Sequence, residues 1–214
     1  MSETRGPVVL RASDHGALAV AAAALAAGGI VGLPTETVYG VGVIPRPEAL
    51  QALLAAKQRP ADKGIALLID DLDQVDDLVV VGAAARRLAE RFWPGPLTLV
   101  LPLRLPALAP EALTGGRDTL ALRIPDHAVP RALARELGPL AVSSANRSGE
   151  PDARTAEALV LSLGPSLAVV IDDGPVRGGV PSSVVAVDAA GRVAVLREGA
   201  IERSMIDALF GAEA

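Results

Sequence analysis

Short apolar runs alternate along this chain with segments of helical hydrophobic periodicity, and glycine, proline or polar residues separate them. The runs at 30–33, 65–69 and 97–103 are dominated by aliphatic residues, which predicts strands. The segment 47–57, with Pro47 in its first turn, predicts one of the intervening helices. Because a helix does not follow every strand, the alternation favours a mixed sheet over a purely parallel one.

We therefore predict an α/β fold that forms a single domain over residues 1–214, with about seven strands in a mixed sheet and five or six flanking helices. Further strands are predicted at 120–124, 139–142, 167–171, 183–187 and 192–196, and further helices at 15–27, 82–92, 128–137 and 155–163. Asp14 is predicted to cap the first helix.

Composition excludes several classes of function. Half of the residues are hydrophobic but only four are aromatic, so the predicted core is Leu, Val, Ile and Ala. This scarcity of aromatics and the net charge of −5 argue against a broad grip on nucleic acid. The lack of cysteine excludes disulfides and thiolate chemistry, and two histidines exclude a histidine-rich metal site. The alanine-rich stretch 17–27 is too short to span a bilayer and no signal peptide is evident, so we expect a soluble, cytoplasmic protein without membrane association.

The densest cluster of polar groups directly follows the first apolar run. Residues 33–42 have the sequence LPTETVYGVG, which places Thr35, Glu36, Thr37 and the chain's only tyrosine, Tyr39, within five positions. A segment built only to fold would not need these groups side by side. We predict that residues 35–39, termed the hydroxyl segment, form part of a pocket floor.

Positive charge is distributed unevenly. Lys57 and Lys63 are the chain's only lysines, against 18 arginines, and both lie in KQRPADK at 57–63, termed the cationic segment. An ammonium and a guanidinium are not equivalent, so a local requirement for ammonium groups would explain the clustering, and chance is the alternative. Pro60 prevents one helix face from carrying Lys57, Arg59 and Lys63 together, and a tight cationic loop suits a polyphosphate or a carboxylate. For Lys57 alone, the alternative is a cation that complements a helix C-terminus.

Other polar groups close predicted strands. Arg123, at the end of an apolar run, is either a charge that reaches solvent or an anion ligand. The sequence SSANRSG at 143–149 and Ser183 supply hydroxyls, for which ordinary caps and turns are the alternative. Arg197 follows the last strand, where an exposed terminal arginine is the alternative. Together these groups predict a concave site that is rich in cations and neutral polar groups.

Familiar catalytic motifs are absent. The sequence contains no P-loop, no complete dinucleotide fingerprint, no HExxH and no GxSxG. Glu36 and Asp62 are carboxylates that would orient cations or hold a metal. With no obvious acid, base or nucleophile, the site is expected to act by alignment and charge stabilisation.

Five motifs resemble the successive signatures of the YrdC-type family, which includes threonylcarbamoyl-adenylate synthases. They are residues 33–42, KQRPADKG at 57–64, WPGPLT at 93–98, LRIPDH at 122–127 and SSANRSG at 143–149, within a motif-bearing region of about 15–200. The resemblance implies a twisted mixed sheet with a concave basic groove. The chain ends at Ala214 and so resembles the short bacterial form.

The resemblance also implies a reaction. L-threonine, bicarbonate or CO₂, and ATP, with Mg²⁺ accompanying the ATP, would give L-threonylcarbamoyl-AMP and pyrophosphate. The chain would thus be a nucleotidyltransferase whose product passes to a threonylcarbamoyl transferase complex. That complex would make N6-threonylcarbamoyladenosine (t6A) at position 37 of tRNA, and weak binding of tRNA or double-stranded RNA is a further expectation.

Residue roles follow from the same resemblance. The positions around threonine are Thr35, Thr37, Arg123, Ser143 and Ser183. The positions around ATP are Lys57, Arg59, Lys63, Thr119, Ala145 through its backbone, Asn146 and Arg197. Lys57 and Arg59 would align the reactants, and neither a covalent nucleophile nor a metal ligand is expected among the side chains.

The chain departs from some relatives at two positions. Leu68 stands where some carry a histidine that contacts threonine, and Ser183 stands where threonine is common, which keeps a hydroxyl. Two other functions stay open. One is a module for RNA binding or ribosome maturation that uses the same groove, which low aromatic content and negative charge disfavour. The other is adenylation of a carbamoyl group, as in relatives embedded in larger maturation proteins, whose extra domains are not seen here.

Overall fold

The computed structural model describes residues 6–105 and 109–211. Its strands are β1 (Val8–Arg11), β2 (Val31–Leu33), β3 (Gly40–Val43), β4 (Ala66–Leu68), β5 (Leu97–Pro102), β6 (Thr119–Arg123), β7 (Leu140–Ser144), β8 (Val169–Asp172), β9 (Ser183–Val187) and β10 (Val193–Arg197). Its α-helices are α1 (Ala17–Ala26), α2 (Pro47–Lys57), α3 (Ala83–Phe92), α4 (Glu111–Thr114), α5 (Ala128–Leu137), α6 (Ala156–Leu163) and α7 (Arg203–Phe210).

The ten strands form one sheet in the order β1-β8-β2-β3-β7-β4-β6-β5-β9-β10. The β2–β3 and β3–β7 pairs are antiparallel, whereas the β4–β6 and β5–β9 pairs are parallel. The prediction of a mixed α/β sheet with flanking helices is therefore confirmed. The predicted count of about seven strands is wrong, because the sheet has ten.

Two of the strands, β1 and β3, escaped prediction for different physical reasons. β1 is a short edge strand in which Val8 and Val9 are about half exposed, so it lacks the pattern of a buried strand. β3 is GVGV, and glycine is depleted in strands. Gly40 is nevertheless required, because a Cβ there would lie 2.7 Å from Cγ1 of Val142 on the neighbouring strand β7.

Helix boundaries also differ from the prediction. α1 begins at Ala17 after Gly16, which has a left-handed φ of 83° and makes no side-chain cap. Asp14 instead accepts a hydrogen bond from the Arg11 backbone N–H (2.9 Å), so its predicted capping of this helix is wrong. The unpredicted helices α4 and α7 also lack a side-chain N-cap, which removes the usual start signal.

The core is mainly aliphatic. One cluster of buried side chains packs against α2, α3 and α6, through residues such as Leu53 and Leu159, and a second packs against α1 and α5, through Leu25 and Leu133. Complete burial of such a side chain contributes about 1.5–3 kcal/mol. Within the described ranges, no helix is both long and apolar enough to cross a membrane.

The register of the central strands gathers the polar segments. Gly40 on β3 lies opposite Ser144 on β7, and Leu68 on β4 lies beside Arg123 on β6. Further along, Thr98 on β5 is in register with Val184 on β9. Segments that are far apart in sequence therefore meet over the middle of the sheet.

Candidate functional site

A cavity of about 320 Å³ lies over these central strands. Its walls come from the hydroxyl segment, from Arg59 of the cationic segment, and from residues of β4, β6, β7 and β9. Small-molecule pockets commonly measure about 300–1,000 Å³. The cavity therefore has the size and the mixed polar lining of a ligand site.

The two threonines of the hydroxyl segment form a directional network. Thr35 Oγ1 donates to the carbonyl oxygen of Val38 (2.6 Å) and accepts from the N–H groups of Thr37 and Val38 (both 3.2 Å). Since the Thr35 proton is thereby used, Thr37 is the donor in the 3.0 Å contact between the two hydroxyls. Thr37 Oγ1 keeps accepting capacity, so it is suited to receive an N–H or O–H from a ligand.

Arg123 is buried at the cavity wall, where β6 ends. Its Nη2 atom pairs with Glu36 Oε1 (2.7 Å) and donates to Thr37 Oγ1 (3.0 Å), while its Nε donates to the carbonyl oxygen of Gly95 (3.1 Å). The side chain is 9% exposed. Of the two alternatives left open by the sequence, a charge that reaches bulk solvent is therefore wrong, and the guanidinium is held in place by three partners.

The Tyr39 hydroxyl is engaged by protein partners. Its hydroxyl donates to the carbonyl oxygen of Gly174 (2.8 Å), lies 3.2 Å from Asp172 Oδ1, and accepts from the Asp173 N–H (3.1 Å). Burial, with a contribution from the Asp172 and Asp173 charges, raises the pKa of Tyr39 to about 12. The tyrosine thus anchors the end of the hydroxyl segment to the loop after β8.

Lys57 is the most deeply buried cation of the cationic segment, at 2% exposure. Its ammonium donates to the carbonyl oxygens of Ser144 and Asn146 and, at 3.3 Å, to Asn146 Oδ1. Burial and the nearby Arg59 lower the pKa of Lys57 to about 8. In this conformation the ammonium holds together the turn after β7 and does not line the cavity.

Arg59 and Arg197 supply the positive charge at the cavity surface. Arg59 donates to the carbonyl oxygens of Lys63 (3.0 Å) and Gly64 (2.7 Å), and Arg197 donates to that of Ser182 (2.8 Å). Burial lowers the pKa of both guanidiniums, and repulsion from Arg197 adds to the effect on Arg59. Arg59 is partly buried and Arg197 is exposed, and two such cations that repel each other at a cavity surface make a favourable place for an anion.

The structure brings together part of the predicted set. The cavity is lined by Thr35, Thr37, Arg59, Arg123, Ser143 and Arg197. The other predicted residues lie outside its lining, and these are Lys57, Lys63, Thr119, Ala145, Asn146 and Ser183. Ligand contacts by the latter group stay predictions.

Strand alternation explains why Ser183 lies outside. Successive side chains of a strand point to opposite faces, so Ser182 and Val184 line the cavity while Ser183 is fully buried on the other side. Ser183 Oγ donates to the carbonyl oxygen of Ile201 (2.5 Å) and accepts from the N–H groups of Gly199 and Ile201. Ser183 thereby connects β9 to the segment that follows β10.

Four polar residues of the lining were not among the predicted site residues, and one of them is Ser144, in the motif SSANRSG. Ser182 and Thr98 share a 2.8 Å hydrogen bond between their hydroxyls, and Asp152 is a carboxylate at the cavity surface. The first pair depends on the parallel pairing of β5 with β9, in which Thr98 lies opposite Val184, and the sequence alone does not give that pairing. Leu68 contributes an apolar wall, and the described residues contain no group of three or more His, Asp or Glu side chains placed to hold a metal ion.

Comparison with known proteins agrees with the family that the motifs resemble. The Sua5/YciO/YrdC family model, described as "Telomere recombination", matches residues 23–199. The threonylcarbamoyl-AMP synthase of Bacillus subtilis is 41% identical over 199 residues, which are 91% of this chain and 56% of that protein. The enzyme of the same name from Idiomarina loihiensis is 43% identical over 164 residues, which are 73% of this chain and 86% of that protein.

A solved structure matches the fold closely. The crystal structure of P. abyssi Sua5 complexed with L-threonine superposes with a TM-score of 0.86 at 35% identity, covering 95% of this chain and 60% of that one. The chain thus spans a little over half of the length of the Bacillus and Pyrococcus proteins. On the match of the family model and these identities, the chain belongs to the Sua5/YciO/YrdC family.

Proposed function

We propose that this chain makes L-threonylcarbamoyl-AMP and pyrophosphate from L-threonine, bicarbonate or CO₂, and ATP. The observation that carries the proposal is the pairing of two surfaces in one cavity. Arg123 with the Thr37 hydroxyl forms one wall, and the cations Arg59 and Arg197, which form no salt bridge within the described part of the chain, form another. An amino acid and a triphosphate are ligands that need these two surfaces side by side. Relatives named threonylcarbamoyl-AMP synthase support this reading.

The amino acid is assigned to the Thr37 wall. The Arg123 guanidinium would bind its carboxylate, and Thr37 Oγ1 would accept a hydrogen bond from its amine or hydroxyl. Thr35 holds Thr37 in its orientation, and Ser143 adds a hydroxyl to the same lining. Sua5 of P. abyssi has been crystallised with L-threonine, which is consistent with this assignment.

The triphosphate is assigned to Arg59 and Arg197. Their repulsion is relieved when an anion lies between them. Mg²⁺ would be carried chiefly by the phosphates and would neutralise further negative charge. The role of Lys57 is then to fix the turn of Ser144 and Asn146 against the cavity, with its predicted direct alignment of reactants untested.

The chemistry requires orientation more than covalent catalysis. The amine of threonine captures CO₂ to form a carbamate, whose oxygen attacks the α-phosphate of ATP and displaces pyrophosphate. Holding two reactants in line can contribute about 7–11 kcal/mol to lowering the barrier. Because free carbamates decompose readily in water, a partly enclosed cavity protects the intermediate.

The proposal places the chain among nucleotidyltransferases. Its product would pass to a threonylcarbamoyl transferase complex for t6A formation at position 37 of tRNA, in the cytoplasm. Direct binding of tRNA is not needed for this reaction.

Pyrophosphate release tests the proposal directly. The purified chain is incubated with ATP, Mg²⁺ and bicarbonate, with and without L-threonine, and both pyrophosphate and the adenylate are measured. We expect release that depends on threonine and on bicarbonate. Release without threonine dependence would overturn the proposal, and tight, salt-sensitive tRNA binding without any release would favour the RNA-binding alternative.

A further inference from the structure

Arg123 keeps one nitrogen uncommitted. Its Nε donates to Gly95, and its Nη2 contacts both Glu36 and Thr37. Nη1 has no hydrogen-bond partner among the described residues. A guanidinium is a rigid planar fork, so fixing Nε and Nη2 also fixes the direction of Nη1. Since Arg123 lines the cavity, Nη1 is the group that it offers to a ligand.

Glu36 binds the Arg123 guanidinium from outside the cavity lining. Its carboxylate binds Arg123 through Oε1 but does not itself line the cavity. Its backbone oxygen accepts from the Gly178 N–H (3.2 Å), and a Cβ at position 178 would come within 2.8 Å of that oxygen. Direct contact with this loop holds the Glu36 backbone in position.

The second carboxylate oxygen of Glu36 is an unusual feature. Oε2 is buried and accepts no hydrogen bond from any residue that the structure describes. A buried acceptor without a partner is unfavourable for folding, and a buried ion pair by itself is weak evidence of stabilisation. The presence of a carboxylate here is better explained by what it does to Arg123.

We propose that Glu36 is a positioning residue, which acts through Arg123 to set the affinity of the cavity for the amino-acid substrate. The inference rests on the proposed function and deepens it. Glu36 Oε1 orients the guanidinium so that Nη1 faces the substrate carboxylate before the substrate arrives. The conformational entropy of the Arg123 side chain is then lost during folding and not during substrate binding.

If Glu36 acted only through its charge, its removal would change the threonine affinity in the opposite direction. The Glu36 charge offsets part of the positive charge of Arg123, so its removal would strengthen the attraction for a carboxylate. If orientation dominates, removal weakens binding instead. The direction of the change in threonine affinity therefore separates the two roles.

Calorimetric titration of the full chain with L-threonine measures this change. Glu36→Ala is expected to raise the threonine Kd about tenfold or more, and Glu36→Gln, which keeps a neutral acceptor, to raise it less. The KM for ATP should stay within about twofold, because the effect is routed through Arg123. Asp70→Asn is the matched control, since Asp70 pairs with Arg131 and Arg135 outside the cavity lining. It should leave the threonine Kd unchanged.

A double-mutant cycle identifies the route. In an Arg123→Lys background, Glu36→Ala should change the threonine Kd by less than about threefold, because the planar fork that Glu36 orients is gone. Should Glu36→Ala fold poorly by circular dichroism, Glu36→Gln carries the test with the same expected direction.

Three results would overturn the inference. They are tighter threonine binding by the Glu36 variants, an unchanged Kd, and an equal effect in both backgrounds. In each case a wild-type chain with threonine-dependent pyrophosphate release would leave the proposed function standing. A wild-type chain that binds no threonine would instead overturn the proposed function, and this inference with it.

Discussion

The hydroxyl segment and the cationic segment face the same cavity, but they satisfy their polar groups in opposite ways. In the hydroxyl segment, the Thr35 proton goes to Val38, the Thr37 proton to Thr35, and the Tyr39 hydroxyl to the loop after β8. In the cationic segment, Arg59 donates to two neutral carbonyls of its own loop, and the attraction by Asp62 is weaker than the repulsion by Arg197.

This difference indicates that the two segments bind different parts of the substrates. The hydroxyls of Thr35, Thr37 and Tyr39 are fixed by hydrogen bonds that cannot rearrange cheaply, so the hydroxyl segment is suited to recognise the shape of a small polar ligand. Asp62 attracts Arg59 and Asp152 attracts Arg197, but neither arginine forms a salt bridge among the described residues, so both gain from a highly charged ligand. Amino-acid specificity is thus expected from residues 35–39, and nucleotide affinity from Arg59 and Arg197.

Arg59→Ala provides the largest test of this division. Because charge-assisted hydrogen bonds contribute about 1.5–3 kcal/mol each, we expect the Kd for ATP to rise roughly a hundredfold. The Kd for L-threonine should change by less than about threefold. Both constants are measured by calorimetric titration, with Arg192→Ala, an exposed arginine paired with Asp188, as the control. Equal losses for both ligands would show that the two segments do not act separately.

The sequence predicted the site best where a residue's type alone determines its role. Arg123 in an apolar run, Arg59 in a cluster of cations and Thr37 in a cluster of hydroxyls were identifiable, because polar groups so placed are costly unless a ligand or a network uses them. All three line the cavity. Ser182 and Ser183 were not distinguishable, because a shift of one residue reverses the face of a strand. The type and sequence position of Lys57 predicted a cation that binds a ligand. In the structure, its ammonium instead donates hydrogen bonds to two backbone carbonyls.

The fold was predictable in class but not in detail. Aliphatic runs such as 65–69 and 97–103 identified buried strands because burial on both faces leaves a continuous apolar pattern. β3 was not identifiable, since its two glycines are explained only by the close approach of Val142 from β7. That contact joins residues about a hundred positions apart in sequence, and local propensity contains no information about it.

Thr37→Val tests the role of the hydroxyl segment, as Arg59→Ala tests that of the cationic segment. Valine keeps the shape of the side chain but removes both the acceptor for a ligand and the contact with Arg123 Nη2. We expect the Kd for L-threonine to rise about tenfold, which corresponds to the loss of roughly one hydrogen bond. The Kd for ATP should not change, and Thr37→Ser should retain most of the threonine affinity. A loss of ATP affinity as large as that for threonine would contradict the assignment of this wall to the amino acid.

The smallest expected effect concerns Tyr39, at the C-terminal end of the hydroxyl segment. It tests whether the hydroxyl of this residue is held in the folded state as firmly as those of Thr35 and Thr37. Burial raises the pKa of its phenol from 10.0 to about 12, so between these values the folded state retains a proton that the unfolded state has lost. The stabilisation is complete below pH 10 and is lost as the pH rises towards 12. Wild type should therefore lose about 1 kcal/mol more of its free energy of unfolding than Tyr39→Phe between pH 10 and pH 11. Urea unfolding of both proteins measures this difference, and tyrosinate absorbance reports the titration directly because the chain has one tyrosine. Identical pH dependence of the two proteins would mean that the phenol ionises freely, and that the network is closed only around Thr35 and Thr37.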